Sequence, residues 1–250
     1  MTALVLSESP FDSKRFNIKV MRGTVEGRSV HDAVVAEIDQ APADLVIFRV
    51  PAGETSVPTA LARMGHTVIH ADTLVYYGMD LSGMTSLESP DHVRKATPED
   101  SRAISSIAQG GFTGYRSHYS ANPLLSKELV HAGYVEWALS RLGDQQLSST
   151  WVAEFDGQVA GFATCDSDAH QVEIVLNAVH PDFERRGLYG ALLCKIICHY
   201  SDQSLSRLVI STQIWNYTVQ RQWTKAGLQL FKAYDTYHLD RRLAAAGASQ

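Results

Sequence analysis

Two arginines and two glycines stand together in Glu184-Arg185-Arg186-Gly187-Leu188-Tyr189-Gly190. Apolar residues at helical spacing follow: Leu188, Ala191, Leu192 and Ile196, with Lys195 among them. A helix predicted to begin after Gly187 leaves its first N–H groups without intrahelical partners, and its dipole is positive there. Gly187 and Gly190 let the backbone approach a ligand, and Arg185 and Arg186 add charge. This pattern predicts a phosphate or pyrophosphate site. No Gly-Lys-Ser/Thr closes the loop, so it is not a Walker loop, and G-x-G-x-x-G is absent. The competing reading is an ordinary loop with two solvated arginines.

A second group lies in Gly110–Leu124, GGFTGYRSHYSANPL. Its alternative is a plain surface loop, but aromatics beside an Arg and a His are unusual in a connector. Arg116 can pair with a phosphate, and Tyr115 and Tyr119 can stack on a base or sugar face. His118 and His180 are candidate proton acceptors, because imidazole titrates near working pH. His180 precedes Pro181 and has the alternative of shaping a turn. Candidate proton donors are Tyr189, Tyr217, Tyr234 and Tyr237. The three cysteines are Cys165, Cys194 and Cys198. Cys194 and Cys198 are four apart on a predicted helix, but no paired His or carboxylate completes a metal set, so no metal is expected. Three cysteines suggest no disulfide framework and a reducing compartment, hence the cytoplasm.

These groups need elements to hold them. The 250 residues allow one large domain or two small ones, and 45% hydrophobic with 20% charged residues excludes global disorder. The net charge of −5 argues against bulk nucleic-acid binding. No apolar run approaches the ~18 residues of a membrane span, and the first residues do not read as a signal peptide. Along 16–81 the pattern is β-α-β-α-β: a strand at Phe16–Val20, a helix at Ser29–Ile38 after a Ser cap, a buried strand at Asp44–Val50, a helix at Pro58–Met64 ended by Gly65, and one or two strands over His66–Asp80. A small, polar stretch at 82–90 reads as a linker. Beyond it come a strand at 91–96, a helix from the Thr97 cap to Gln109, and a helix from Ser126 to Leu142. A hairpin then turns at Asp156-Gly157. A strand at Gln171–Val179, a helix to Tyr200, a strand at Leu205–Thr212, a helix at Asn216–Lys225 and a strand at Leu228–Leu239 complete the chain, with a frayed tail. The expected domains are 1–86, a small α/β half, and 87–250.

Residues 91–239 resemble the GNAT family, the Gcn5-related N-acetyltransferases. The segment V-H-P-D-F-E-R-R-G-L-Y-G-A-L-L is similar to that family's acetyl-CoA motif, R/Q-x-x-G-x-G/A, and N-Y-T-V-Q-R-Q-W-T-K-A-G-L is similar to its later helix. The order β-α-α-β-β-β-α-β-α-β also matches. The resemblance implies an α/β fold with a mixed, mostly antiparallel sheet, preceded by a smaller degenerate α/β half, and an acetyl-CoA-dependent N-acetyltransferase. Strands 171–179 and 205–213 are expected to splay. Backbone groups of Asn177, Ala178 and Val179 would then meet the pantetheine arm, and Arg185, Arg186, Gly187, Leu188, Tyr189 and Gly190 the pyrophosphate. Asn216 and Trp223 would complete the cofactor side. Glu184 stands where the motif has Gln or Arg, and Trp223 stands where the family has its Tyr acid. An indole N–H is not a useful proton donor to a thiolate.

Glu173-Ile-Val-Leu-Asn-Ala-Val resembles the strand whose Glu is the base in the family's histone acetyltransferases, which makes Glu173 the first candidate base, acting through water. Strict alternation would put Glu173, Val175, Asn177 and Val179 on one face. A plain solvent-facing Glu is the alternative. The whole chain is also similar to the TDP-fucosamine N-acetyltransferase type, through F-D-S-K-R-F-N, D-L-V-I-F-R-V-P-A and the R-S-H-Y-x-x-N-P loop. That likeness implies a small-molecule amine acceptor, a TDP-amino sugar, with Tyr115, Arg116, His118, Tyr119 and Asn122 on its side. It implies neither nucleic acid nor membrane as a partner, and it allows a homodimer. The rival readings are a GNAT enzyme for another amine, a non-catalytic acyl-CoA-binding protein, and a nucleotide-binding module.

Overall fold

The structure, a computed structural model, describes residues 4–26, 32–82, 89–143, 146–203 and 205–243. In chain order its strands and α-helices are β1 (Ser7–Glu8), α1 (Pro10–Phe16), β2 (Val20–Thr24), α2 (Asp32–Gln40), β3 (Leu45–Pro51), α3 (Ser56–Arg63), β4 (Val68–Asp80) and β5 (Val93–Lys95). They continue with α4 (Ser101–Gly111), α5 (Lys127–Leu139), β6 (Ser148–Phe155), β7 (Gln158–Ser167), β8 (Gln171–Val179), α6 (Leu188–Asp202), β9 (Arg207–Gln213), α7 (Tyr217–Lys225) and β10 (Gln229–Asp240). From β5 onward this is the predicted order. The expected boundary at 86/87, the Ser29 cap and the tail from 244 lie outside the described residues.

The chain divides into two compact units. The first comprises 1–75, 116–130 and 232–250, and the second 76–115 and 131–231.

In the first unit the strand order is β1-β2-β3-β10-β4. β2 runs parallel to β3, and β10 runs antiparallel to it with Thr236 opposite Arg49 and His238 opposite Ile47. One sheet face carries Val46, Phe48, Val50, Tyr237 and Leu239, packed with Val34 and Ile38 of α2 and Val57 and Leu61 of α3. The other face carries Val20, Leu45 and Ile47 under Leu125, Phe16 and Ile18. The predicted strand at Phe16–Val20 is instead the end of α1 and the entry to β2. Pro10 starts that helix at a position suited to its fixed φ, and Asn17 closes it in the left-handed conformation at φ 52°. The alternation of Phe16, Ile18 and Val20 is real, but these residues meet one cluster across a turn rather than along a strand.

In the second unit the order is β4-β9-β8-β7-β6-β5. Asp156 and Gly157, at φ 50° and 75°, make the predicted hairpin turn between β6 and β7. β7 pairs antiparallel with β8, while β8 pairs parallel with β9 only from Gln171↔Arg207 to Ile174↔Ile210. Beyond that point, among the described residues, β8 has no partner on its β9 side, which is the expected splay.

One expectation about β8 is corrected. The register shifts from Cys165↔Ile174 to Thr164↔Leu176, leaving Val175 as the extra residue of a β-bulge. Glu173 pairs with Asp166, whereas Asn177 and Val179 pair with Ala163 and Gly161. Cross-strand partners share a face and faces alternate along β7, so Glu173 lies on the opposite face from Asn177 and Val179. Packing agrees: Gly161, on the face of Asn177 and Val179, is directed at Leu192 of α6. Asp166, on the face of Glu173, is held by Arg141 just beyond α5.

Candidate active site

The loop before α6 is shaped by two left-handed residues, Arg185 at φ 63° and Gly187 at φ 82°. A side chain at Arg185 carries this conformation at a cost, and at position 187 only glycine takes it freely. Gly187 is the N-cap of α6 and has no side chain with which to cap it. The first intrahelical bond runs from Ala191 N–H to the Gly187 carbonyl, so the N–H groups of Leu188, Tyr189 and Gly190 precede the ladder. Gly187 and Gly190 are exposed, and a Cβ on either would meet nothing within 4 Å. Arg185 and Arg186 are exposed and form no ion pair among the described residues; Arg186 lies over the Phe155 ring at 4.6 Å. Leu188 is buried and anchors the helix start. Donors and open space therefore meet at the start of α6, with two exposed arginines just before it in the chain. This is the fit expected for acetyl-CoA.

Trp223 and Tyr189 meet. Trp223 is buried in α7 and donates its indole N–H to the Tyr189 hydroxyl at 2.7 Å. Having accepted that bond, the hydroxyl keeps its own proton to donate. Burial, only partly countered by the Trp223 bond, pushes the phenol well above its ordinary range, so it stays protonated. Tyr77 packs edge-on against Trp223 at 5.3 Å. Asn216 turns its amide onto Thr212 at 3.1 Å instead of capping α7. The Tyr115 hydroxyl bonds Gln213 and lies 3.5 Å from Thr212, at the end of β9. Tyr115, Asn216, Tyr189 and Trp223 are thus all in the second unit, along with Glu173, Asn177, Ala178 and Val179. Sequence reading did not single out an open groove of about 780 Å³ beside α7, lined by Tyr77, Tyr217, Gln220, Arg221, Thr224 and Lys225. The i, i+3, i+4 and i+7 spacing from Tyr217 was its available signal.

The rest of the expected acceptor loop belongs to the first unit. His118 and Asn122 are buried there with their polar atoms engaged. Arg22 donates to His118 Nε2 at 2.9 Å, and His118 Nδ1 meets His238 Nε2 at 2.9 Å. Burial first, then the charge of Arg22, His238 and Arg49, drives His118 well below its usual range. An imidazole so disposed is a weak base, which removes the reason for placing His118 at the proton transfer. Asn122 donates to Asp240 at 2.8 Å and accepts from Leu124 N–H at 3.0 Å. Tyr119 donates to Asp12 at 2.8 Å and accepts from Arg22 at 3.0 Å, with its hydroxyl pushed up to about 12 by burial. Arg116 remains exposed. His180 accepts from Asp182 N–H at 3.3 Å, the turn-shaping alternative. Tyr217 is exposed on α7, and Tyr234 and Tyr237 are in the first unit. Among the described residues no group of three His, Cys, Asp or Glu could hold a metal, and no helix is long and apolar enough to cross a membrane.

Comparison with known proteins agrees with this geometry. Residues 116–228 match the profile of the Acetyltransferase (GNAT) family. The spore coat polysaccharide biosynthesis protein SpsD of Bacillus subtilis is 23% identical over 243 residues, 94% of this chain and 83% of that protein. Among solved structures, a GCN5-related N-acetyltransferase from Sphaerobacter thermophilus has a TM-score of 0.64 at 17% identity, covering 97% of this chain and 78% of that one. An acetyltransferase structure from Novosphingobium aromaticivorans has a TM-score of 0.56 at 15% identity, covering 90% and 88%. A tandem GNAT protein from the clavulanic acid biosynthesis pathway has a TM-score of 0.54 at 14% identity, covering 93% and 79%. With the splayed β8, the uncapped glycine start of α6 and the family match over the same segment, residues 116–228 carry the match to an acetyltransferase domain of the GNAT family.

Proposed function

We propose that the protein transfers an acetyl group from acetyl-CoA to the amine of a nucleotide-linked amino sugar. The observation that carries the donor side is the start of α6, whose free N–H groups, left-handed Gly187 and paired arginines suit a pyrophosphate. Acetyl-CoA, when bound, supplies the acetyl thioester. The residues that would hold it are Arg185–Gly190 for the pyrophosphate and the unpaired edge of Asn177–Val179 for the arm, where a backbone N–H can favour charge growing on a carbonyl oxygen. The sugar reading is supported by the likeness to a polysaccharide biosynthesis protein over nearly the whole chain.

Glu173 is the base in this reading. An attacking amine must be free of its extra proton, and a carboxylate can take that proton through one or two waters. Glu173 lies directly opposite Asp166, whose negative charge is matched by a two-point contact with Arg141 at 2.6 Å. The neighbouring carboxylate is thereby neutralised and does not crowd Glu173. Tyr189, oriented by Trp223, holds the proton for the departing thiolate. Residues 1–86 serve as a structural or acceptor-side half and 87–250 as the transferase half. Tyr115 and Arg116 are the acceptor-loop contacts retained; His118, Tyr119 and Asn122 are read as scaffold. The reducing environment suggested by a count of only three cysteines fits the cytoplasm.

Mass spectrometry of acetyl transfer tests this with the full chain, acetyl-CoA and a panel of TDP-amino sugars, free amino sugars, peptides and small amines. The expected result is one acetyl group on a TDP-amino sugar and none on peptides. Transfer confined to peptides or simple amines would replace the sugar reading while leaving the donor site intact.

A further inference from the structure

The second face of the first unit's sheet changes character along its strands. The register puts Val20, Leu45 and Asp240 in one row, Arg22, Ile47 and His238 in the next, and Thr24, Arg49 and Thr236 in the third. The first row is closed by Leu125 and Phe16 and by the Asn122–Asp240 bond. The second is crossed by His118. The third is polar throughout.

Hydrogen-bond direction can be followed across these rows. The Arg22 guanidinium can only donate, so His118 Nε2 is the acceptor and carries no proton. His118 Nδ1–H therefore donates to His238 Nε2. His238 then bears its proton on Nδ1. That Nδ1 is buried with no partner, and so are the hydroxyls of Thr236 and Ser117. His238 and Thr236 are both 0% exposed and Ser117 is 4% exposed. Thr236 and His238 are two apart on one strand and face the same way. The segment 117–122 runs along them, with Asn122 at Asp240 and His118 at His238, so Ser117 is at the end toward Thr236.

Three buried polar groups without partners are costly unless something meets them. One of them can only donate, and the hydroxyls can do so. Charge of both signs reaches His238, from Arg22 and from Asp240 and Asp12. Arg22 and Arg49 flank the row, and both act electrostatically on His118. The carboxylates within reach are already engaged: Asp12 by Ser9, Arg15, Arg22 and Tyr119, and Asp240 by Asn122 and Arg242. Glu26 acts, with Arg49, on Tyr234 one row further out. Donors gathered between guanidinium groups suit an oxyanion.

We propose that Ser117, Thr236 and His238, flanked by Arg22 and Arg49, form a phosphoryl-anion binding site in the first unit, separate from the α6 loop. The inference rests on the first unit's geometry alone and stands whether or not acetyl transfer to a sugar is found.

The test is ¹⁵N NMR of the histidine rings in the full chain during titration with pyrophosphate. The expected result is a saturable shift of the His238 Nδ1 signal, with a rise in melting temperature from ligand linkage. Arg22→Ala breaks the Asp12 pairing and can unfold the protein, so Thr236→Val is the diagnostic variant. Without ligand it should melt no lower than the parent protein, because it removes an orphan hydroxyl at nearly constant shape. Its pyrophosphate affinity should fall about tenfold, the loss of one charge-assisted bond. Gly187→Val, altered in the α6 loop, should keep the full His238 response. A nucleoside diphosphate shifting His238 at much lower concentration than pyrophosphate identifies the anion as part of a nucleotide; equal concentrations identify a free oxyanion. Absence of any His238 response, or a Thr236→Val protein that responds like its parent, overturns the proposal.

Discussion

Two helix starts in the second unit face the same physical problem and answer it in opposite ways. In the 3-10 turn Pro98–Asp100 that leads into α4, Thr97 and Asp100 form a capping box; Asp100 accepts the Thr97 N–H at 2.8 Å and is gripped by Arg94 at 2.7 and 2.9 Å, while Arg94 also reaches Glu154 at 2.8 Å. An acid stands at the positive end of the helix and its own neighbours satisfy it. At the entry to α6 there is no capping side chain, a left-handed glycine stands at the N-cap, and the nearby charges are two arginines. The first start is sealed by the protein. The second presents the same kind of donors to whatever arrives. Helix dipoles are common to both, so the difference between structure and site lies in whether the local sequence supplies its own anion.

Substitutions around the open start should then alter binding and turnover, and those around the sealed start should alter stability. The largest effect is expected at Glu173, on the strand that leads into the open start. Glu173→Gln should lower kcat by ~10²–10⁴-fold, the usual cost of a lost base. Its melting temperature and acetyl-CoA affinity should hardly change, and the rate should partly recover as pH rises. A parental pH–rate profile in the variant would remove Glu173 from the mechanism and break its link to the open start.

At the sealed start, Asp100→Ala should cost about 1–2 kcal/mol of stability, through a lost cap and a lost Arg94 contact, with acetyl-CoA affinity unchanged. Urea unfolding alongside ligand titration reads both. The same carboxyl gives a smaller, pH-dependent signature. Arg94 holds Asp100 below the ordinary carboxylate range. A folded value below the unfolded one means that this stability is complete above the unfolded pKa, ~3.9. It is lost as pH falls through the lower folded value, because unfolding then takes up a proton. Asp100→Ala should therefore have a flatter stability profile than its parent below about pH 4. Parallel profiles would mean that Arg94 does not hold the Asp100 charge in the way the sealed start requires.

The features legible in the sequence are those carried by short-range chemistry. Gly65, Asp156-Gly157 and Gly187 announce their turns because positive φ selects them. Thr97-Pro98-Glu99-Asp100 announces a helix start, and the strand-loop-helix around Arg185 announces an uncapped one. What could not be read depends on partners far along the chain. Phe16–Val20 alternates like a strand, but Pro10 and Asn17 set the end of a helix there instead. The bulge at Val175 exists only against β7, so strict alternation misplaced Glu173 relative to Asn177. The partners of His118, Arg22 and His238, are 96 and 120 residues away, so nothing local reveals that its ring is already engaged. Trp223 looked like a departure from a familiar helix. Only the fold brings Tyr189 to it, 34 residues back in the chain.

The most direct test of the open start is calorimetric titration of CoA into the parent protein and Gly187→Val. Valine at φ 82° is strained and cannot hold this loop in place. A folded Gly187→Val chain, verified by circular dichroism, should bind CoA about 10–100-fold more weakly, the equivalent of 1–3 kcal/mol, while the parent binds one CoA per chain. Unchanged affinity in the folded variant would contradict the assignment of the pyrophosphate to the start of α6.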